Sequence, residues 1–190
     1  MSAPLRPEVV SFSSFARAGA SPLHDLARAF RAGDPEALAS VLALAGPALD
    51  RWFDATPAPG ASASGSVPVV VAIPLPGHLA GSLNEPCLAL LHALAATRPR
   101  LVPVPGLLAR IADAPEAKLA PPPPLARLPS EEAETLAWRP DLLPADLASA
   151  PILLLDDIVR SGASLLAAIA AAPPSLAPRI TPAAIFRAQD

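Results

Sequence analysis

Cysteine occurs once in this 190-residue chain, lysine once and tyrosine not at all. A lone Cys87 excludes a disulfide framework and a cysteine zinc site. The three histidines, His24, His78 and His92, lie on separate stretches, so no Zn²⁺ ligand set stands at the usual spacings. Positive charge is also scarce. Lys and Arg together number 14 against 17 Asp and Glu, for a net charge of −3. Such a chain has no basic field with which to grip nucleic acid, and weak, salt-sensitive DNA binding is the most to expect. No apolar run approaches the ~20 residues that span a bilayer. Residues 1–10 (MSAPLRPEVV) lack the basic and apolar regions of a signal peptide. The expectation is a soluble, cytoplasmic protein with no membrane contact, folded as one globular domain over 1–190.

The most informative stretch is 152–165, ILLLDDIVRSGASL. Four apolar residues after Pro151 read as a short buried strand of a parallel sheet, ending at Asp156 and Asp157. Ser161, Gly162, Ala163 and Ser164 then turn the chain into an apolar helix. Ligands of open α/β sheets bind at the carboxyl ends of strands. Backbone N–H groups at the start of the following helix, with hydroxyls beside them, suit a phosphate. Two carboxylates next to that turn suit ribose hydroxyls or a hydrated Mg²⁺. A Walker B strand would read similarly, but it needs a GxxxxGK[ST] loop, and the only lysine, Lys118, stands elsewhere. A receiver domain would place its acid pair near the amino terminus.

Along the chain, Ser21-Pro22 opens a helix with Leu23, Leu26, Ala27 and Phe30 on one face. Gly33 stops it, and Asp34-Pro35 opens a second that runs to about Phe53. His24, Arg28 and Arg31 read as the solvated side of the first helix. Residues 1–55 thus form an N-terminal helical segment, 56–66 (TPAPGASASGS) a linker, and 67–190 the α/β core. Within that core 67–74 is a valine-rich strand, 75–83 a Pro/Gly loop, 84–96 a helix and 101–104 a short strand. Residues 105–150 look irregular and long enough to be a functional flap. A last strand spans 179–187. The order implies a mostly parallel, twisted sheet flanked by helices. Pro74, Leu75, Pro76, Gly77 and His78 end another strand, and their Pro and Gly content would let a backbone approach a ligand closely.

The 152–165 stretch resembles the phosphoribosyl-pyrophosphate (PRPP) motif of type I phosphoribosyltransferases. That resemblance implies Asp156 and Asp157 on the ribose diol, with one of them available as proton acceptor. It places Arg160, Ser161, Gly162, Ala163 and Ser164 around the 5′-phosphate, and 74–78 on pyrophosphate, with Mg²⁺ arriving through PRPP. The family commonly has a hydroxyl residue where Arg160 stands; arginine can pair with phosphate too. Beyond the motif, 22–34 (PLHDLARAFRAGD), 73–86 (IPLPGHLAGSLNEP), 108–118 and 184–187 are similar to segments of the ComF family of competence-associated, phosphoribosyltransferase-like proteins. Departures are the absent four-cysteine zinc ribbon, Gly81-Ser82-Leu83-Asn84 where the family has R-G-F-N, and Ala112 and Ala114 at basic and threonine positions.

Membership would imply a type I phosphoribosyltransferase fold acting in DNA uptake or processing, beside a competence helicase or recombination mediator. As an enzyme it would direct an acceptor nitrogen onto the anomeric carbon of PRPP and release pyrophosphate. Arg110, Lys118 and Arg127 are the cations nearest the loops, few for stabilising a leaving pyrophosphate. Binding is therefore easier to support than turnover. The rivals are a purine or pyrimidine salvage transferase, against which no base-binding segment follows the last strand, and a non-catalytic PRPP or nucleotide sensor. On the metal, the composition makes a direct prediction. Purified protein should carry no stoichiometric zinc and keep its melting point in chelator; one mole of zinc per chain by elemental analysis would contradict it.

Overall fold

A computed structural model describes residues 10–16, 21–55, 69–114 and 129–189. The linker expected at 56–66, and both Lys118 and Arg127, lie outside the described residues. The first strand, β1 (Val10–Ala16), precedes helices α1 (Pro22–Arg31) and α2 (Pro35–Ala55). Gly33 takes φ +78° to end α1, and the Asp34 carboxylate accepts from the Glu36 and Ala37 N–H groups to start α2. Next come β2 (Val70–Pro74), α3 (Glu85–Thr97) and β3 (Leu101–Pro103). After them follow β4 (Leu108–Arg110), α4 (Pro129–Ala133) and β5 (Leu136–Trp138). Two single 3₁₀ turns lead to β6 (Ile152–Val159), α5 (Ala163–Ala170) and β7 (Ile180–Gln189).

Five strands form one sheet in the order β1-β7-β6-β2-β3, and every neighbouring pair is parallel. Parallel sheets need cover on both faces, and the valine and leucine runs of β2 and β6 supply it by alternation. Val70, Ala72, Leu153 and Leu155 pack with α1, α2 and α3 through Phe30, Val41, Leu49, Leu90 and Leu91. Val71, Ile73, Ile152 and Leu154 pack on the other face with Leu165, Ala167 and Ala168 of α5. The first two helices thus belong to the same core as the sheet. From β2 the chain moves outward to β3, whereas β6 and β7 lie on β2's other side, and α3 and α5 cover opposite faces. The topological switch point is therefore between β2 and β6. An open α/β sheet has its crevice at that place, outside the carboxyl ends of the strands.

Three expectations need correction. Residues 1–55 are not purely helical, because β1 adds an edge strand along β7. The acid pair does not end its strand: β6 continues to Val159, held by β7 through the pairs Ile158 with Phe186 and Val159 with Arg187. Nor are the described parts of 105–150 irregular. β4 and β5 form an antiparallel ribbon, with Leu108 opposite Trp138, and the Trp138 indole N–H donates to the Ala168 carbonyl at 2.8 Å.

Arg179 fixes the approach to β6. Its guanidinium donates to the carbonyls of Leu147, Ala148 and Ala150 at 3.2, 2.6 and 2.8 Å. Hydrogen bonds from a charged donor contribute roughly 1.5–3 kcal/mol each when buried and less where water can replace the donor. Arg179→Met should therefore lower stability by about 1–3 kcal/mol, read as a shifted urea midpoint at unchanged slope. An unchanged midpoint would show these carbonyls to be hydrated equally well without it.

Candidate functional site

Strand lengths create the opening. β2 pairs with β6 as far as Pro74 opposite Leu155, and the Leu75 N–H donates to the Leu155 carbonyl at 2.7 Å. Beyond that bond β7 is the one strand among the described residues that still pairs with β6. A cavity of about 370 Å³ occupies the gap, lined by Asp156, Asp157, loop residues 75–78, residues 83–86, Ile158, Ser164 and Arg31. Of the expected residues, Leu75, Pro76, Gly77, His78, Asp156, Asp157 and Ser164 meet at this one cavity. Pro74, Arg160, Ser161, Gly162 and Ala163 stand behind or beside it; Arg160 and Ser161 are exposed on the turn.

In a regular strand, neighbouring side chains point to opposite faces. Here Asp156 and Asp157 both border the cavity. Through Leu155 odd-numbered residues face the α1–α3 layer and even-numbered ones the α5 layer. Past the acid pair, Ile158 packs on the first layer and Val159 on the second, so the alternation slips by one position across the two aspartates. The Asp157 N–H donates to Asp156 Oδ1 at 2.9 Å, turning that carboxyl back along its own strand.

The two acids have different surroundings. Asp157 is 4% exposed, and its Oδ2 accepts from Arg31 Nε across 126 residues of sequence. Asp156, only partly exposed as a residue, has its carboxyl deep among protein atoms. Burial, then the Asp157 charge and a side-chain hydrogen bond to it, pushes the Asp156 carboxyl well above the ordinary carboxylate range, against smaller lowerings by the Asp157 N–H and by Arg31. Fully buried Cys87 has its thiol pushed up by burial and by both carboxylates. It remains neutral and inert within the core on the α1–α3 side of the sheet.

Two helices begin at the cavity. Gly162, at φ +75°, turns the chain into α5, a conformation that side chains with a Cβ resist. Ser161 Oγ accepts from the Ala163 N–H at 3.3 Å, closing the turn. At α3 the Asn84 side chain caps the Cys87 N–H, and Glu85 and Pro86 form the first turn. Each helix start presents N–H groups that lack intrahelical acceptors, a favourable setting for an anion.

The loop after β2 is braced from the side. Arg110, 2% exposed, donates to the Gly77 carbonyl at 3.0 Å, to Thr135 Oγ1 and to Glu132. The Gly81 N–H donates to the Arg110 carbonyl, the Ala114 N–H to the His78 carbonyl, and the Ala80 N–H to the Asp113 carboxylate. Gly77 itself is needed for packing: a Cβ there would stand 2.5 Å from Ser82 Oγ. Arg110 is therefore a structural brace and not a cation offered to pyrophosphate. The described parts of 105–150 tie this loop to α5 through β4 and β5.

No model of a known protein family matches the chain, and no curated protein matches it. Inference about the site therefore rests on its chemistry. Asp156 and Asp157 offer hard oxygen donors, yet the described residues contain no cluster of three or more His, Cys, Asp or Glu side chains able to hold a metal. That set fits Mg²⁺ as it is usually held, by one or two carboxylates with water and substrate phosphates. It does not fit a tightly bound resident ion. Helical periodicity puts Arg31 on a solvated face, whereas the structure turns it into the cavity, and no local pattern marks Asn84 or Glu85 as lining residues. A second hollow of about 490 Å³ opens at the other end of β2, lined by Phe53, Val69, Pro99 and Arg100 among others. Its Arg98 is occupied by Asp50, at 2.7 and 2.9 Å, and amino ends of parallel strands are not where such sheets bind ligands.

The raised Asp156 carboxyl has a measurable consequence. Over the pH window from the ordinary carboxylate range up to its raised value, the folded protein binds a proton that the unfolded chain has released. Stability contributed by the protonated form is full below that window and lost as pH rises through it, by about 1.4 kcal/mol for each pH unit crossed. Asp156→Asn keeps the oxygen that accepts from the Asp157 N–H and donates an amide hydrogen toward Asp157. The variant should melt higher than the parent at pH 7.5, by ~2–4 °C for each kcal/mol regained, with the gap closing near pH 4. A variant that melts lower at neutral pH would show that the ionised carboxylate is stabilised in place.

Proposed function

We propose that this cavity binds a sugar 5-phosphate of the phosphoribosyl class, PRPP with Mg²⁺ being the ligand whose chemistry it matches best. The observation that carries the reading is that an acid pair, a glycine turn at a helix start and a second strand-end loop meet at the switch point of a parallel sheet. In that arrangement Asp156 and Asp157 accept from the ribose hydroxyls. The 5-phosphate sits at the start of α5, on the Ser164 hydroxyl that lines the cavity, next to the turn of Ser161, Gly162 and Ala163. Leu75, Pro76 and Gly77 border the anomeric side. Mg²⁺, entering with the ligand, would offset phosphate charge against the carboxylates.

This arrangement supports the type I phosphoribosyltransferase fold and favours binding over turnover. Loop residues 74–78 contain no Lys or Arg, and Arg110 is committed to Gly77, Thr135 and Glu132. A transferase needs cations where pyrophosphate departs. The reading is thus a phosphoribosyl-ligand binding protein of the ComF kind. Its part in DNA uptake, beside a helicase or recombination mediator, rests on the resemblance of 22–34, 73–86 and 152–165 alone.

Melting with PRPP and Mg²⁺ tests the reading. Ligand at a hundred times its dissociation constant contributes ~2.7 kcal/mol. For a chain of this size the midpoint should rise by roughly 5–11 °C. Asp156→Asn combined with Asp157→Asn should remove most of the rise, and Gly162→Val should do the same by forcing a β-branched residue to φ +75°. A parent protein whose melting point ignores millimolar PRPP and Mg²⁺ would leave the acid pair without this ligand.

A further inference from the structure

Arg31 is placed to do more than neutralise Asp157. It is the last residue of α1, and Phe30 and Ala27 beside it are buried in the core, so its backbone is anchored. Its side chain crosses to Asp157 and gives up only one donor there, Nε. The side chain is still 52% exposed and lines the cavity. A guanidinium has five N–H donors in a rigid fork, so the two terminal nitrogens remain to be used. Among the lining residues are three carboxylates, Glu85, Asp156 and Asp157, and Arg31 is the one Lys or Arg.

A ribose hydroxyl that donates to Asp157 competes with Arg31 for the same carboxylate, and of the two partners Arg31, 52% exposed, is the one with room to turn. Arg31 already lines the cavity, so a guanidinium released from Asp157 stays beside the bound sugar. Its fork matches a phosphate with two parallel N–H···O bonds.

We propose that Arg31 is an exchangeable recognition residue: it holds Asp157 in the free protein and passes to the anionic substituent on the anomeric carbon when the sugar binds. The inference rests on the phosphoribosyl reading above and deepens it. Arg31 makes the site selective for sugars that carry charge at both ends, and it supplies the cation that loop 74–78 lacks. The exchange also keeps Asp157 paired in the free protein, where an unpaired buried carboxylate would be costly.

Titration calorimetry on the full chain, with PRPP and with ribose 5-phosphate, each with Mg²⁺, tests it. Parent protein should prefer PRPP by about ten-fold or more, the worth of one charge-assisted pair. Arg31→Gln should weaken PRPP by about ten-fold or more and change ribose 5-phosphate by less than about three-fold, so that the preference collapses. Arg31→Lys should fall between, keeping charge without the fork. Loss of both ligands in equal proportion would make Arg31 a mere support for Asp157 and overturn the proposal, as would a Gln variant that keeps the preference. Should Arg31→Gln unfold, the Lys variant decides alone: an undiminished preference for PRPP overturns the fork. Parent protein that binds neither sugar would overturn the phosphoribosyl reading itself, and this inference with it.

Discussion

β6 stays hydrogen-bonded to β7 as far as Val159, while its other neighbour, β2, stops opposite Leu155. Everything at the site depends on that unequal length. Where β2 ends, one side of β6 loses its cover, and the two residues that come next are both aspartates. A strand that ended with β2 would release them into a solvated loop, where they would be ordinary acids. Held by β7, they remain in the sheet's frame, close together and poorly hydrated, with the slip in alternation turning both toward one space.

Such an arrangement opposes folding. Two neighbouring carboxylates, one buried and one with a raised proton affinity, have a single arginine as counter-charge and a neutral buried thiol within reach of their field. The rest of the surroundings is built to hold them there. Apolar layers cover both faces of the sheet, Arg179 fixes the entry to β6, and Arg110 secures the loop opposite. A perturbed acid such as Asp156, within a cleft at a switch point, is a physical signature of a site that binds something. The 490 Å³ hollow near Phe53 has more room but no such tension.

The parts of this legible in sequence are those carried by local pattern. Four apolar residues, two acids and a Ser-Gly-Ala-Ser turn mark β6 and the start of α5, and Pro74 through His78 mark the loop after β2. Pattern alone ends β6 too early because charged residues usually leave a buried strand, and nothing local shows that β7 is ten residues long and keeps pairing. β1 carries an alternation, Val10-Ser11-Phe12-Ser13, that polar neighbours obscure; its partner lies at the far end of the chain. Arg31 has no local signal, since its contact with Asp157 spans 126 residues. The three-residue strands β4 and β5 fall below the length at which a period of two can be seen.

On the proposed reading, a phosphorylated sugar enters between the carboxyl ends of β2 and β6. Hydrogen–deuterium exchange with and without PRPP and Mg²⁺ measures this directly, amide by amide. Protection should concentrate in peptides covering 156–166 and 75–84, with the end of α1 responding as Arg31 changes partner. Protection centred on 97–101, or a ligand that binds while leaving 156–166 unchanged, would contradict it.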